Sequence, residues 1–382
     1  MYEAIEQYIL ELIRCSTPRQ TAWNMEKVRE GKETNWNYID GCMLSALLAM
    51  TEITGDDRYA AFVQEVADSF VREDGSIDTF EPEKRALDDY NEGRILFPMY
   101  ARTKDEKYRK AAEMLHRHLM EQPRTPEGNF WHKGIYPNQV WLDGTYMALP
   151  FLAMYEDTFG QGEIGDIMAQ LRTVRAKMRD PKTGLYYHGY DASRKAFWAD
   201  PETGLSGSFW LRAIGWYALA LSDLIGIIPK GMEERDELAD TLRDLLESIS
   251  AYAEKDSGMY LQVVDQPGRE GNYPETSGSA MIACAMLRGA RLGVLDESFR
   301  EKGKKTFEGI VRNHLKTRDG MIGLDNICLV AGLGPENNRR RDGTYAYYIS
   351  EPVVSDDAKG AAPFVLCYTE IRRLEAGADG NR

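Results

Sequence analysis

Every second helix-length segment of this chain opens in the same way. The openings are "YIDGCMLSALLAM", "YNEGRILFPMYA", "WLDGTYMALPFLAM", "LRAIGWYALALSDL", "ETSGSAMIACAMLRG" and "AKGAAPFVLCYTE". Each carries a glycine near its start (Gly41, Gly93, Gly144, Gly215, Gly278, Gly360) and continues with small and apolar residues. Between them stand charged amphipathic segments such as "DDRYAAFVQEVADSFVRE" and "DEKYRKAAEMLHRHLMEQ". A helix apolar all round is buried, and one with a single apolar stripe lies outside against it. Six buried helices alternating strictly with six amphipathic ones predict an all-α (α/α)6 barrel, an inner ring within an outer ring. The alternative is an open α-solenoid, whose repeats resemble one another more closely and lack Trp-rich connections. Glycines at the inner starts give room for a neighbour or a ligand to approach closely.

The periodicity places helices near 2–14, 37–53, 57–72, 87–103, 105–121, 143–158, 162–178, 208–225, 233–254, 275–291, 295–315 and 359–375. No linker interrupts this series, so residues 1–382 read as one barrel domain, although length alone suggests two or three. No run approaches the roughly 18 apolar residues of a membrane span. The start, "MYEAIEQYILELIR", lacks the basic and apolar blocks of a secretory signal, so a cytoplasmic protein is expected. The five cysteines are scattered without a CxxC pair and are expected to be free thiols. The histidines form no ligand pair, and neither metal nor cofactor is expected. A net charge of -14 argues against nucleic-acid partners, while an anionic sugar can still bind where the local site is basic. A monomer or small homo-oligomer is expected.

The unusual residues lie in the long connections before the inner helices: "TNWNY", "GNFWHKGIYPNQVW", "GLYYHGYDASRKAFWADPETGLSGSFW" and "DQPGREGNYPETSG". A barrel of this kind gathers these connections at one end. Five of the seven tryptophans fall between positions 131 and 216, and aromatic walls around an acidic cup suggest a carbohydrate site. The sharpest carboxylates are Asp88, five residues before Gly93, and Asp143, directly before Gly144. Proton transfer to a sugar needs a carboxyl group whose pKa rises toward neutrality, by burial or a nearby like charge, and two groups at adjacent helix starts would supply that coupling. Each Asp also reads as a helix N-cap. His188 stands in an aromatic loop, in either a structural or a site role. Arg212 stands between Trp210 and Trp216 at a buried helix start and needs an anion from the protein or from a ligand. Lys133 and Lys359 add positive charge there or are simply solvated.

Taken together, "NWNY", "LDDYNEGRILFPMY", "GNFWHKGIYPNQVWLDGTYM", "TGLYYHGYD", "WADPETGLSGSFWLRAIGWYALAL", "NYPETSGSAM" and "DDAKGAAPF" resemble the unsaturated rhamnogalacturonyl hydrolases, glycoside hydrolase family 105, over nearly the whole chain. The resemblance implies an (α/α)6 barrel and a metal-free hydrolase of oligosaccharides left by pectin-type lyases, which carry a 4,5-unsaturated uronic acid at the non-reducing end. Family members hydrate the enol-ether double bond: a carboxylic acid protonates C4, water adds at C5, and the hemiketal collapses. By motif position the resemblance makes Asp143 the acid/base and Asp88 its partner carboxylate. His188, Arg212, Lys133, Trp141, Trp210 and Trp216 fall on substrate-pocket positions. Arg212, with Lys359, is expected to meet the uronate carboxylate and the tryptophans to stack on the ring, with Tyr38 and Trp36 in the same pocket. Asp356-Asp357 stands where relatives often have Asn-Asp, and Lys359 where some have His, so the preferred sugar stays open. Unsaturated glucuronyl hydrolysis is the near alternative. A sugar epimerase lacks the paired histidine bases it needs, and a non-catalytic sugar-binding barrel leaves Asp143 unexplained.

Overall fold

The computed structural model describes residues 1–160 and 162–379. Its helices are α1 (Tyr2–Arg14), α2 (Met25–Glu30), α3 (Tyr38–Thr54), α4 (Asp57–Phe70), α5 (Asp88–Glu92), α6 (Leu96–Thr103), α7 (Glu106–Met120), α8 (Leu142–Phe159), α9 (Ile164–Met178), α10 (Leu211–Ile227), α11 (Glu233–Ser250), α12 (Thr276–Arg291), α13 (Glu297–His314), α14 (Tyr345–Ile349) and α15 (Ala358–Asp379). The ring runs α3, α5–α6, α8, α10, α12, α15, and α15 packs back against α3. That return contact closes the barrel and excludes the open solenoid.

The two kinds of helix differ as their sequences require. In α10 every residue from Leu211 to Ile225 is buried. In α7 the buried residues are Tyr108, Ala111, Ala112, Leu115 and Leu119, a single stripe at helical spacing. Helix α1 closes the outer layer against α15, where the Tyr2 and Tyr368 rings meet edge to face at 5.3 Å. Among the described residues no helix is long and apolar enough to cross a membrane. All five cysteines are free, and all but Cys15 are buried.

The inner glycines serve neighbouring helices. A Cβ on Gly41 would stand 2.5 Å from the Glu92 Cα, so α3 and α5 touch backbone to backbone there. The predicted single helix over 87–103 is broken by a 3-10 turn at Gly93–Ile95, where the chain passes within contact of Leu115 and Phe151. Short α2 and α14 and three two-stranded ribbons lie in the connections, and helical periodicity has no means of showing them. The ribbons pair β1 (Gln139–Trp141) with β2 (Gly189–Asp191), β3 (Leu315–Arg318) with β4 (Met321–Leu324), and β5 (Ile327–Cys328) with β6 (Val353–Val354). Two of them build the site.

Candidate active site

The β1–β2 pairing sets Trp141 opposite Gly189, and the Leu142 N–H donates to the His188 carbonyl at 3.0 Å. Since α8 starts directly after β1, this register places the second helical residue, Asp143, against His188. His188 Nε2 and Asp143 Oδ2 lie 3.1 Å apart, close enough to pair as ions but not aligned as a hydrogen bond. The other imidazole nitrogen, Nδ1, is 2.7 Å from the Tyr348 hydroxyl. His188 is fully buried, walled by Trp210 (ring centroids 4.8 Å), Trp141 (5.3 Å) and Tyr348 (5.9 Å). The Asp143 side chain keeps 13% of its surface open. Neither Asp88 nor Asp143 is an N-cap: those positions are Leu87 and Trp141, and neither makes a side-chain cap. The capping explanation therefore falls for both aspartates. Gly144 gives clearance to the protein itself, since a Cβ there would lie 3.2 Å from His132 Nδ1.

Two carboxylates raising each other is not what the geometry provides. Asp88 Oδ2 is 2.5 Å from Lys133 Nζ, and its Oδ1 is 3.8 Å from His132 Nε2. Asp143 is pushed up by burial but pulled down further by His188 and His132, and it ends below the ordinary aspartate value. His132 is itself lowered to about 4 by burial, so at neutral pH it is uncharged. Asp89 does rise, lifted to about 7 by burial and by adjacent Asp88. Lys133, expected to meet substrate, is held in its charged form by Asp88 against the opposing effect of burial.

Arg212 is buried on α10, with its guanidinium 4.9 Å from the Trp210 ring centre. Both of its hydrogen bonds leave from Nη1, to the Cys328 carbonyl and to Ser277 Oγ at 3.2 Å. The β5–β6 ribbon brings in that carbonyl. Glu275 holds the assembly together: it caps α12 through Ser277 N and Gly278 N and accepts from Cys328 N at 3.0 Å. No carboxylate pairs directly with Arg212 among the described residues, so its charge has no partner of opposite sign in contact. Lys359 differs. It is buried and its Nζ lies 2.9 Å from Glu26 and 3.0 Å from Asp357, so the expectation that it meets a substrate carboxylate is not supported: two protein carboxylates already neutralise it.

A cavity of about 420 Å³ is lined by Tyr38, Glu26, Asp88, Asp89 and Lys133 among others, and Asp143, His188 and Arg212 are not in its wall. Trp36 is not in it. That ring is fully buried against Phe70, and its N–H donates to the Asp89 carbonyl at 2.8 Å. Trp216 is also core, stacked on Tyr146 at 4.9 Å with Tyr38 edge-on at 6.2 Å. Trp210 is stacked on Tyr348 at 5.6 Å, and Trp141 on His132 at 4.2 Å. Protein rings therefore occupy faces that sequence reasoning offered to a sugar. Tyr348, Glu275 and Glu26 were missed. The aromatic run "YAYY" was a signal for Tyr348, but the two glutamates are ordinary residues that only the fold brings into place. No group of three or more His, Cys, Asp or Glu suited to a metal is found among the described residues.

The sequence matches the family model described as Glycosyl Hydrolase Family 88 over residues 14–375. A glycoside hydrolase of family 105 from C. acetobutylicum ATCC 824 superposes with a TM-score of 0.88, at 39% identity, covering 96% of this chain and 98% of that one. The unsaturated rhamnogalacturonyl hydrolase YesR of Bacillus subtilis (strain 168) is 28% identical over 269 residues, 67% of this chain and 72% of its own. The unsaturated glucuronyl hydrolase of Bacillus sp. GL1 shares the fold at a TM-score of 0.68 and 18% identity, covering 99% and 97% of the two chains.

Proposed function

The chain belongs to glycosyl hydrolase family 88, and from that premise we propose that it releases 4,5-unsaturated galacturonic acid from the non-reducing end of lyase-generated oligosaccharides, unsaturated galacturonyl-rhamnose foremost. That it is a glycoside hydrolase of the unsaturated uronyl class follows from the family match and the family 105 structure. The rhamnogalacturonyl substrate is carried by the likeness to the Bacillus subtilis enzyme. The observation that carries the mechanism is the Asp143–His188 contact inside an aromatic enclosure, with Arg212 free of any contacting carboxylate.

A uronate entering this site brings the anion that Arg212 lacks, and a guanidinium clasps a carboxylate by two points. That added negative charge acts on Asp143 in turn. An anion nearby raises a carboxyl pKa, whereas His188 holds Asp143 low in the free site. Substrate binding thus favours the protonated form of Asp143, which protonates C4 of the enol ether. Water adds at C5 with Asp143, now ionised, as base, and the resulting hemiketal collapses to release the next sugar. Tyr348 holds His188 in place through Nδ1. Asp88, tied to Lys133, fixes the neighbouring wall and helps hold the sugar. A second groove of about 610 Å³ shares exposed Ile135 with the first cavity and leaves room for the sugars that follow.

The test is the loss of ultraviolet absorbance when the protein meets unsaturated disaccharides. Turnover in heavy water places one deuterium at C4 of the released keto acid, and saturated galacturonides are inert. Absence of absorbance loss with every unsaturated disaccharide overturns the reading. Faster loss with unsaturated glucuronyl disaccharides overturns only the choice of sugar.

A further inference from the structure

The ribbon that carries Trp141 toward Asp143 has a second end. At one end of the β1–β2 register Trp141 faces Gly189, next to the Asp143–His188 contact, and at the other Gln139 faces Asp191 in the wall of the 610 Å³ groove. Two steps of antiparallel strand separate these ends, about 7 Å, a distance on the scale of one sugar unit. The acids of the groove are occupied. Asp191 accepts from the backbone N–H groups of Ser193, Lys195 and Ala196, and Glu336 pairs with Arg339. Lys195, also in the wall, is exposed and has no carboxylate in contact among the described residues. The unmatched charge here is therefore positive, in a chain whose net charge is -14.

Three consecutive arginines follow the groove wall, and they differ. Arg339 pairs with Glu336 and Arg340 with Glu351. Arg341 has no carboxylate in contact among the described residues, and the adjacent Asp342 is turned to the N–H and hydroxyl of Thr344. The Arg341 backbone closes the wall, its carbonyl accepting from the Gly334 N–H at 2.8 Å. Its guanidinium runs toward the site. It hydrogen-bonds the Tyr136 hydroxyl, and a Cβ on Gly332 would lie 3.3 Å both from Arg341 Nη1 and from the Trp141 ring. Arg341 is half-buried, and its nitrogens are not among the sealed polar atoms that lack a partner, so the guanidinium keeps surface open to solvent. A guanidinium with one neutral partner, standing where the groove meets Trp141, is suited to clasp a carboxylate by two points. We propose that Arg341, with Lys195 in the groove wall, selects a second uronate, the one that follows the first sugar beyond the scissile bond. The inference rests on the unsaturated-uronyl reading above: Arg212 takes the carboxylate of the reacting sugar and Arg341 takes the next one along the chain. Tetrasaccharides in which uronates alternate with neutral sugars are then better substrates than their neutral counterparts.

Steady-state turnover of two unsaturated tetrasaccharides tests it. One keeps its internal uronate, and the other has that uronate reduced to the neutral sugar. The parent should favour the acidic compound in kcat/KM by about ten-fold, the lower range for a hydrogen bond to a charged group, and mostly through KM. Arg341→Gln should bring the ratio close to one, and Arg341→Lys should keep part of it through a point charge. Lys195→Gln, at an exposed side chain whose loss leaves the melting temperature unchanged, should lower the ratio about two- to three-fold, as for a surface ion pair. Equal turnover of the two compounds by the parent overturns this inference alone, as does a ratio kept in full by Arg341→Gln. No turnover of either compound overturns the hydrolase reading itself, and this inference with it.

Discussion

The same six helices treat buried charge in opposite ways at their two ends. At the N-terminal end the ionisable groups are matched loosely. Asp143 touches His188 out of line, Arg212 bonds only neutral groups, and Asp89 carries a carboxyl at about 7. At the C-terminal end they are locked. Glu370 is pressed to about 2, burial working against three arginines that outweigh it. Helix N-termini favour anions and helix C-termini favour cations, which suits uronate recognition at one end and arginines at the other. The difference teaches that the end proposed for proton transfer keeps groups whose protonation can change, and the far end removes that freedom.

The largest effect should come from Asp143→Asn. Turnover of unsaturated disaccharide falls by about 10³-fold or more, the upper range for a positioned acid, while the melting temperature and substrate binding persist. Full activity in this variant removes the functional half of the contrast. Glu370→Gln should do the reverse, costing about 3 kcal/mol of stability in urea unfolding. The change removes the buried carboxylate shared by three arginines and leaves Arg291 without one, while Arg288 keeps Asp223 and Arg373 keeps Glu52. Its turnover per folded molecule should match the parent, and a loss as deep as that of Asp143→Asn would erase the distinction between the ends. Arg212→Lys comes next. A point charge replaces a two-point clasp, and KM should rise on the order of 10- to 100-fold, with a smaller change in kcat, as expected when a charged hydrogen bond is lost.

The ring was legible because burial writes itself into periodicity: all-round apolar segments became the inner helices and striped ones the outer. The break at Gly93–Ile95 was hidden because a 3-10 turn leaves the apolar spacing almost unchanged. In the site, Asp143, His188 and Arg212 stood out because a charged or polar residue inside an apolar helix start or an aromatic loop needs a reason. What no spacing reveals is pairing across long separations. Lys359 looked available until Glu26, 333 positions away, was found against it. The tryptophans looked like sugar platforms because sequence counts rings but does not show which faces are already covered, as Tyr146 covers Trp216.

The smallest effect sharpens the contrast most, because it needs only pH. Asp89 is raised from 3.8 to about 7 in the fold, so it binds more protons folded than unfolded between those values. Its stabilising contribution is complete below pH 3.8 and is lost as pH rises through 7. Glu370 is lowered from 4.5 to about 2, so its contribution is complete above pH 4.5 and disappears only as pH falls toward 2. Between pH 5 and 8 the far end is therefore silent and the near end is not. His132, lowered to about 4, gives the opposite slope up to its ordinary value of 6.5, so the variant must be compared with the parent at each pH. Asp89→Asn should remove a decline of about 1–2 kcal/mol between pH 5 and 8 in urea unfolding, a figure discounted for the partial exposure of the group. Glu370→Gln should leave that decline intact while flattening stability below pH 4.5. An unchanged decline in Asp89→Asn means the near end is as tightly fixed as the far one, and the contrast between the two ends does not hold.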